Sequence, residues 1–124
     1  MYHPNVVRAQ ILYFEQKERL FMQGITIRYL QEYLKSKDHN PELKYKFFLK
    51  LSEEVGELAQ AIRKAPERAT EANIEGTIEE EIWDVIYYCL VIANCYDIDM
   101  EKWIPIKEKH NNEKWNNKVV FDPK

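Results

Sequence analysis

Thr77-Ile-Glu-Glu-Glu-Ile-Trp-Asp-Val-Ile-Tyr-Tyr-Cys-Leu-Val-Ile-Ala93 is the stretch that decides how this chain folds. Thr77 followed three residues later by Glu80 is a capping box: the threonine caps a helix and the glutamate reaches back to the backbone before it. From Ile82 to Ala93 the residues are apolar or aromatic all round the helix, so the pattern predicts a segment buried on every face, in a tight bundle or an oligomer. Asp84 is the only charge inside that run. An unpaired buried carboxylate is costly, and a chain that keeps one there keeps it to bind something. Glu81, one turn earlier, makes the first carboxylate pair, Glu81-x-x-Asp84.

A second pair lies upstream. On a helical wheel advancing about 100° per residue, Phe47, Leu51, Val55, Leu58 and Ile62 define a core face. Glu54 falls at the edge of that face, Glu57 lies one step further round, and Glu53 points to solvent. Like charges three apart on a helix repel, and a cation between them turns the cost into a gain. Glu54-x-x-Glu57 and Glu81-x-x-Asp84 fall on consecutive helices, expected to run antiparallel. Four oxygen donors across such a pair suit a hard divalent ion, Mg2+ or Mn2+ in its place.

The remaining chain reads as helices too. Asn5 to Gln23 carries Val7, Ile11, Phe14 and Phe21 among charges and is ended by Gly24; Thr26 to Lys37 places Ile27, Leu30 and Leu34 on one side. Asn40 caps and Pro41 opens the third helix, which Pro66 stops after Ala65. Asp99 caps a last helix, in which Pro105 predicts a kink or a second start. The fold expected is all-α, a single domain over residues 1–124 with four to five helices.

With 124 residues, 45% of them hydrophobic, one core is affordable and two are not. Three glycines, at Gly24, Gly56 and Gly76, exclude a glycine-rich phosphate loop. A net charge of −3 argues against nucleic acid as a partner, yet an acidic chain binds a polyphosphate when divalent cations intervene. Cys89 and Cys95, six apart on one helix, cannot bridge, and read as small core residues in a reducing cytoplasm. The start of the chain lacks a signal-peptide run, and the apolar segment is too short to cross a bilayer, so neither export nor a membrane is expected.

Basic residues fit two readings each. Lys50, one turn before Glu54, contacts a phosphate or forms an ordinary ion pair with Glu54. Lys107, Asn111 and Lys114 share a helix face, suited to phosphate and ribose or simply to solvent. Assembly follows from burial: three or four short helices cannot cover a helix apolar on all sides. The patch around Trp83, Tyr87 and Val91 therefore predicts a homodimer or a dimer of dimers.

Leu51-Ser-Glu-Glu-Val-Gly-Glu-Leu58 followed by Glu80-Glu-Ile-Trp-Asp84 resembles the E-x-x-E…E-x-x-D signature of the MazG-like all-α nucleoside triphosphate pyrophosphatases. Lys107-Glu-Lys-His-Asn111 and Lys114-Trp115 resemble the lysine, asparagine and basic-aromatic positions of that family's last helix. The resemblance covers about residues 26–115. It implies paired helical protomers with sites near their interface, Mg2+ held by Glu54, Glu57, Glu81 and Asp84, and the triphosphate or sugar held by Lys107, Asn111 and Lys114. The implied reaction is attack of water on the α-phosphorus, releasing pyrophosphate, in a nucleotide-pool cleaning role. Phosphoribosyl-ATP pyrophosphohydrolase shares the same carboxylate logic and is the rival enzyme. A non-catalytic helical interaction protein is the rival outside enzymes. A ferritin-like di-iron bundle fails, because no histidine stands three residues after a glutamate.

Overall fold

A computed structural model describes residues 3–123, and for residues 16–23 the backbone alone. Five α-helices are present among the described residues: α1 (Pro4–Gln23), α2 (Ile27–Lys37), α3 (Lys44–Lys64), α4 (Ile78–Cys95) and α5 (Met100–Lys114). No strand accompanies them, and one isolated bridge joins Thr70 to Asn73 in the connection before α4. The all-α expectation is met.

The caps fall where side-chain chemistry puts them. Thr26, Thr77 and Asp99 each accept a hydrogen bond from a backbone N–H in the first turn of α2, α4 and α5. Asn40 caps as expected, but Pro41 opens a 3-10 turn, Pro41–Leu43, before α3 begins at Lys44. α3 ends at Ala65, whose left-handed φ of 49° turns the chain before Pro66. Gly76, at φ 77°, occupies a conformation costly to other residues, and its N–H donates to Glu80 at 2.6 Å. Glu80 thus reaches back one residue further than a standard capping box.

Pro105 does not break α5, which runs through it from Met100 to Lys114. The expected second start is absent. Proline lacks an N–H to donate to the Glu101 carbonyl, and Asp99 caps the same first turns, so the helix tolerates the loss. α1 carries Val7 and Ile11 on one side with Phe14, yet every described side chain of it is exposed. Phe21, assigned to the same stripe, lies outside the described residues.

α3 and α4 lie together and run antiparallel: Phe47 of early α3 meets Tyr88 of late α4, ring centroids 6.5 Å apart, while Glu57 of late α3 meets Glu81 of early α4. α2 packs on α4, and α5 packs on α2. Leu34, Phe47, Leu90 and Val91 form the buried core, with Ile27, Leu30, Tyr87, Tyr88 and Met100 around it. That core occupies one end of the α3–α4 pair. The carboxylates occupy the other.

α4 is not buried all round in this chain. Ile82, Ile86 and Cys89 are exposed, whereas Val91 is fully buried and Trp83 and Tyr87 are partly so. The uncovered side is therefore one step round from the Trp83, Tyr87 and Val91 patch that the sequence indicated. α2 and α3 together cover only part of the circumference. For the same reason Cys89 is not a core thiol, and Cys95 is half-buried. No helix is long and apolar enough to cross a membrane among the described residues.

Candidate metal centre

The seam between α3 and α4 is built by residues four and three apart. On α3 they are Phe47, Leu51, Glu54, Leu58 and Ala61, all buried or half-buried. Val55 and Ile62, assigned to the core face by the wheel, are 49% and 59% exposed. The wheel centred the face one step too far round. Glu54 consequently sits within the seam, between Leu51 and Leu58, and not at its edge. Glu53 is exposed, as the wheel required.

Glu54, Glu57 and Glu81 each bring a carboxylate oxygen to within 4.8 Å of the others. Glu80, Glu81 and Asp84 form a second such group, so Glu81 belongs to both. All four carboxylates singled out from the sequence are therefore gathered at one place. Glu80 joins them, although the sequence reading gave it only a capping role. Its adjacency to Glu81 was the available signal, and a wheel places neighbours about 100° apart. What brings it in is the short side-chain reach at the first turn, where it also accepts the Gly76 N–H.

Burial is distributed differently from the expectation. Glu81 is the most enclosed of the group, 9% exposed, while Asp84 is half-buried. Asp84 has the open side of α4 beside it, whereas Glu81 faces α3. One oxygen of Glu54 and one of Glu81, their Oε2 atoms, are buried with no hydrogen-bond partner. Burial pushes the Glu54 carboxyl up to about 7, helped by a hydrogen bond with Glu57 and the charges of Glu57, Asp84 and Glu81. Burial raises Glu81 as well, with Glu57, Asp84 and Glu80 adding to it. Asp84 is raised by burial and by Glu80 and Glu57. No ion pair among the described residues joins a basic side chain to the cluster. Burial and like charge thus favour the protonated form of Glu54, Glu81 and Asp84, and a cation placed among them would favour the ionised form.

The basic residues are placed less favourably. Lys50 pairs with Glu53 at 3.4 Å and not with Glu54, because Glu54 is turned into the seam and Glu53 outward. Lys107 and Lys114 are exposed, Lys114 lying over the Trp115 ring at 5.2 Å. The Asn111 amide donates to Glu108 at 3.5 Å. No hydrogen bond or ion pair among the described residues joins Lys107, Asn111 or Lys114 to the carboxylates.

Comparison with known proteins gives this geometry a family. The model of the MazG nucleotide pyrophosphohydrolase domain matches residues 45–114, from the first turn of α3 to the end of α5. Two crystal structures of iMazG from Vibrio DAT 722 are similar. To the Ctag-iMazG form the chain is 37% identical, with 71% of this chain and 99% of that one covered and a TM-score of 0.66. To the Ntag-iMazG form it is 38% identical, with 74% and 99% covered and a TM-score of 0.67. No curated protein matches the chain. The matched residues 45–114 contain Glu54, Glu57, Glu81 and Asp84, the match takes in more than half of the chain, and the helical frame is shared with iMazG: the chain belongs to the MazG nucleotide pyrophosphohydrolase family.

Proposed function

We propose that the chain is a Mg2+-dependent nucleoside triphosphate pyrophosphohydrolase, cleaving a nucleoside or deoxynucleoside triphosphate to the monophosphate and pyrophosphate. One observation carries the reading: two buried, partnerless carboxylate oxygens, on Glu54 and Glu81, within reach of Glu57 and Asp84 across a helix seam. Orphaned buried acceptors are costly, and a cation is the ligand that satisfies several at once. Donors that are all carboxylate oxygen fit Mg2+, or Mn2+ in its place, and not a soft metal. Glu54, Glu57, Glu81 and Asp84 hold the ion. Bound there, it supplies charge neutralisation for the phosphates and acidifies an attacking water.

The reaction needs no covalent nucleophile. The water oxygen bonds to the α-phosphorus, the bond from that phosphorus to the α–β bridging oxygen breaks, and its electron pair leaves with pyrophosphate. The water's proton is released to solvent. Lys50 lies at the edge of the site for the phosphates. Lys107, Asn111 and Lys114 hold the triphosphate or the sugar across a protomer interface, since within one chain they make no bond to the carboxylates.

The homodimer, alone or paired into a dimer of dimers, is part of the same reading. In antiparallel helices, positions one step on from the facing positions lie on the same side of the pair. That side carries Phe48, Val55 and Ile62 from α3 with Ile82 and Ile86 from α4, all at least 40% exposed. A second copy is the commonest cover for such a face. Sedimentation of the full chain at micromolar concentration should give a dimer or tetramer; a stable folded monomer refutes the assembly.

Pyrophosphate release from a panel of canonical and damaged nucleoside triphosphates, with Mg2+ and with chelator, tests the function. Turnover of at least one substrate, abolished by chelator, is the expected outcome, and damaged nucleotides as the best substrates would favour nucleotide-pool cleaning. A folded oligomer that binds Mg2+ and hydrolyses none of them refutes it.

A further inference from the structure

α1 presents an apolar stripe that this chain leaves bare. Val7, Ile11 and Phe14 follow one another at four and three residues along one side of it, 39%, 52% and 68% exposed. The stripe is not flat: Val7, Gln10, Ile11, Phe14 and Glu15 line a hollow of about 350 Å3, a place for side chains from elsewhere. A 20-residue helix is marginal by itself in water and draws its stability from what its apolar face packs on. α1 also lies outside the stretch that the family model matches, which begins at residue 45. Gly24, at φ 72°, ends it before α2 starts.

The charges beside the stripe decide what covers it. On the wheel Arg8 and Glu15 lie on the same flank, about 60° and 40° round from Ile11. Two turns separate them, too far to reach each other, and neither makes an ion pair among the described residues. In an antiparallel pair of helices, like flanks face each other. A second α1 laid antiparallel, with the two-fold axis at Ile11, therefore sets Arg8 of each copy against Glu15 of the other. The same axis sets Val7 against Phe14 and Ile11 against Ile11. A parallel pair would set Glu15 beside Gln10 and Arg8 beside His3, and no opposite charges would meet. An anionic lipid surface favours a polar face rich in lysine and arginine. The α1 sequence has Arg8, Lys17 and Arg19 against Glu15 and Glu18, close to neutrality.

We propose that α1 is an assembly helix: it pairs antiparallel with α1 of a second copy about a two-fold axis at Ile11, with Arg8 and Glu15 fixing direction and register. The pairing stands on α1 alone. Its consequence for subunit number rests on the α3–α4 interface proposed above. Two separate two-fold interfaces on one chain, where their axes meet, close into a dimer of dimers. The α3–α4 face then joins the copies that build a metal centre, and α1 joins one such pair to the next.

Sedimentation equilibrium of the full chain and of α1 variants, with helix content followed by circular dichroism, tests it. Wild type should sediment as a tetramer at micromolar concentration. Ile11→Glu sets two unpaired carboxylates against each other at the axis; it should weaken the pairing by more than about a hundredfold and halve the mass, with the bundle still folded. Glu15→Arg, which faces arginine with arginine, should weaken it by about tenfold. Arg8→Glu combined with Glu15→Arg should restore the tetramer. A wild-type dimer that falls to a monomer with Ile11→Glu and recovers in the same way supports the α1 pair and overturns the α3–α4 interface. A mass unchanged by Ile11→Glu and Glu15→Arg overturns the α1 pair and leaves the α3–α4 interface standing. Loss of mass with Ile11→Glu that is insensitive to both charge variants overturns the antiparallel pairing and means that α1 rests on another face of the second copy. Co-sedimentation with phosphatidylserine vesicles that Ile11→Glu abolishes, with the mass in solution unchanged, overturns it in favour of a membrane surface.

Discussion

Two clusters of polar side chains are enclosed among the described residues, and they are finished in opposite ways. At the end of α4 near the core, Gln31 and Asn94 are 8% and 6% exposed, and each of their side-chain nitrogen and oxygen atoms has a hydrogen-bond partner. The Gln31 amide donates to the Asn94 oxygen at 3.1 Å and to the Ile98 carbonyl at 2.8 Å, and its oxygen accepts the Met100 N–H at 3.0 Å. Asn94 returns a bond to the Gln31 carbonyl at 2.9 Å. This network ties α2, α4 and the start of α5 together. At the opposite end, Glu54 and Glu81 are left with bare buried oxygens and with like charges for neighbours. Satisfaction marks the structural site; its absence marks the site built for something else.

That contrast can be broken most sharply at Asp84. Asp84→Asn keeps the shape and removes the charge, and Mg2+-dependent turnover should fall by more than about a hundredfold, beyond the cost of losing an outer-shell partner. Helix content by circular dichroism should be unchanged. Near-wild-type turnover would remove Asp84 from the ligand set.

Stability should move in opposite directions at the two ends. Asn94→Ala strands the Gln31 amide, and urea titration should show a loss of about 2 kcal/mol. Glu81→Gln in metal-free protein relieves repulsion and burial of charge, and the Tm should rise by about 2–5 °C. The same substitution should abolish the stabilisation that Mg2+ gives to wild type. A drop in metal-free Tm on Glu81→Gln would mean that the carboxylate is structural.

The pH dependence separates them next. Glu54 titrates at about 7 in the folded chain against 4.5 in an unfolded one, so the folded state holds a proton that the unfolded state releases between those values. Metal-free stability is therefore highest below pH 4.5 as far as this group is concerned, and it is lost as pH rises through about 7. Mg2+ needs the ionised form, so the shift in Tm that it produces should grow over the same interval. Thermal melts at several pH values, with Mg2+ and with chelator, check this; a Mg2+ shift independent of pH would count against the assignment. Gln31 and Asn94 themselves do not titrate, so the hydrogen bonds between them should contribute nothing to the dependence.

The smallest effect is expected just outside the seam. Glu53 is exposed and paired only with Lys50, so Glu53→Ala should lower turnover by less than about threefold. Alanine at Glu54 or Glu57 should cost far more. If the Glu53 variant were the least active of the three, the orientation of α3 at the site would be misjudged.

Much of this was written in the order of residues. The 3.6-residue period, the caps at Thr26, Asn40, Thr77 and Asp99 and the stop at Pro66 are local effects, each settled within a turn or two of backbone, and they determined an all-α chain with helices close to those found. The spacing of Glu54 with Glu57 and of Glu81 with Asp84 fixed which carboxylates share a flank. What local chemistry could not settle is which flank meets which helix. A wheel centred on apolar residues counted Val55 and Ile62 as core, because it cannot distinguish a side chain covered by α4 from one left bare on the outside of the pair. Tertiary packing turned α3 by one step, put Glu54 inside the seam, and made Glu81 more enclosed than Asp84. It also brought the 37–43 connection against Tyr88, a proximity no local pattern encodes. Period and capping act over a few residues, whereas burial is a property of the whole packed bundle, and burial is what turns four acidic residues into a place for a cation.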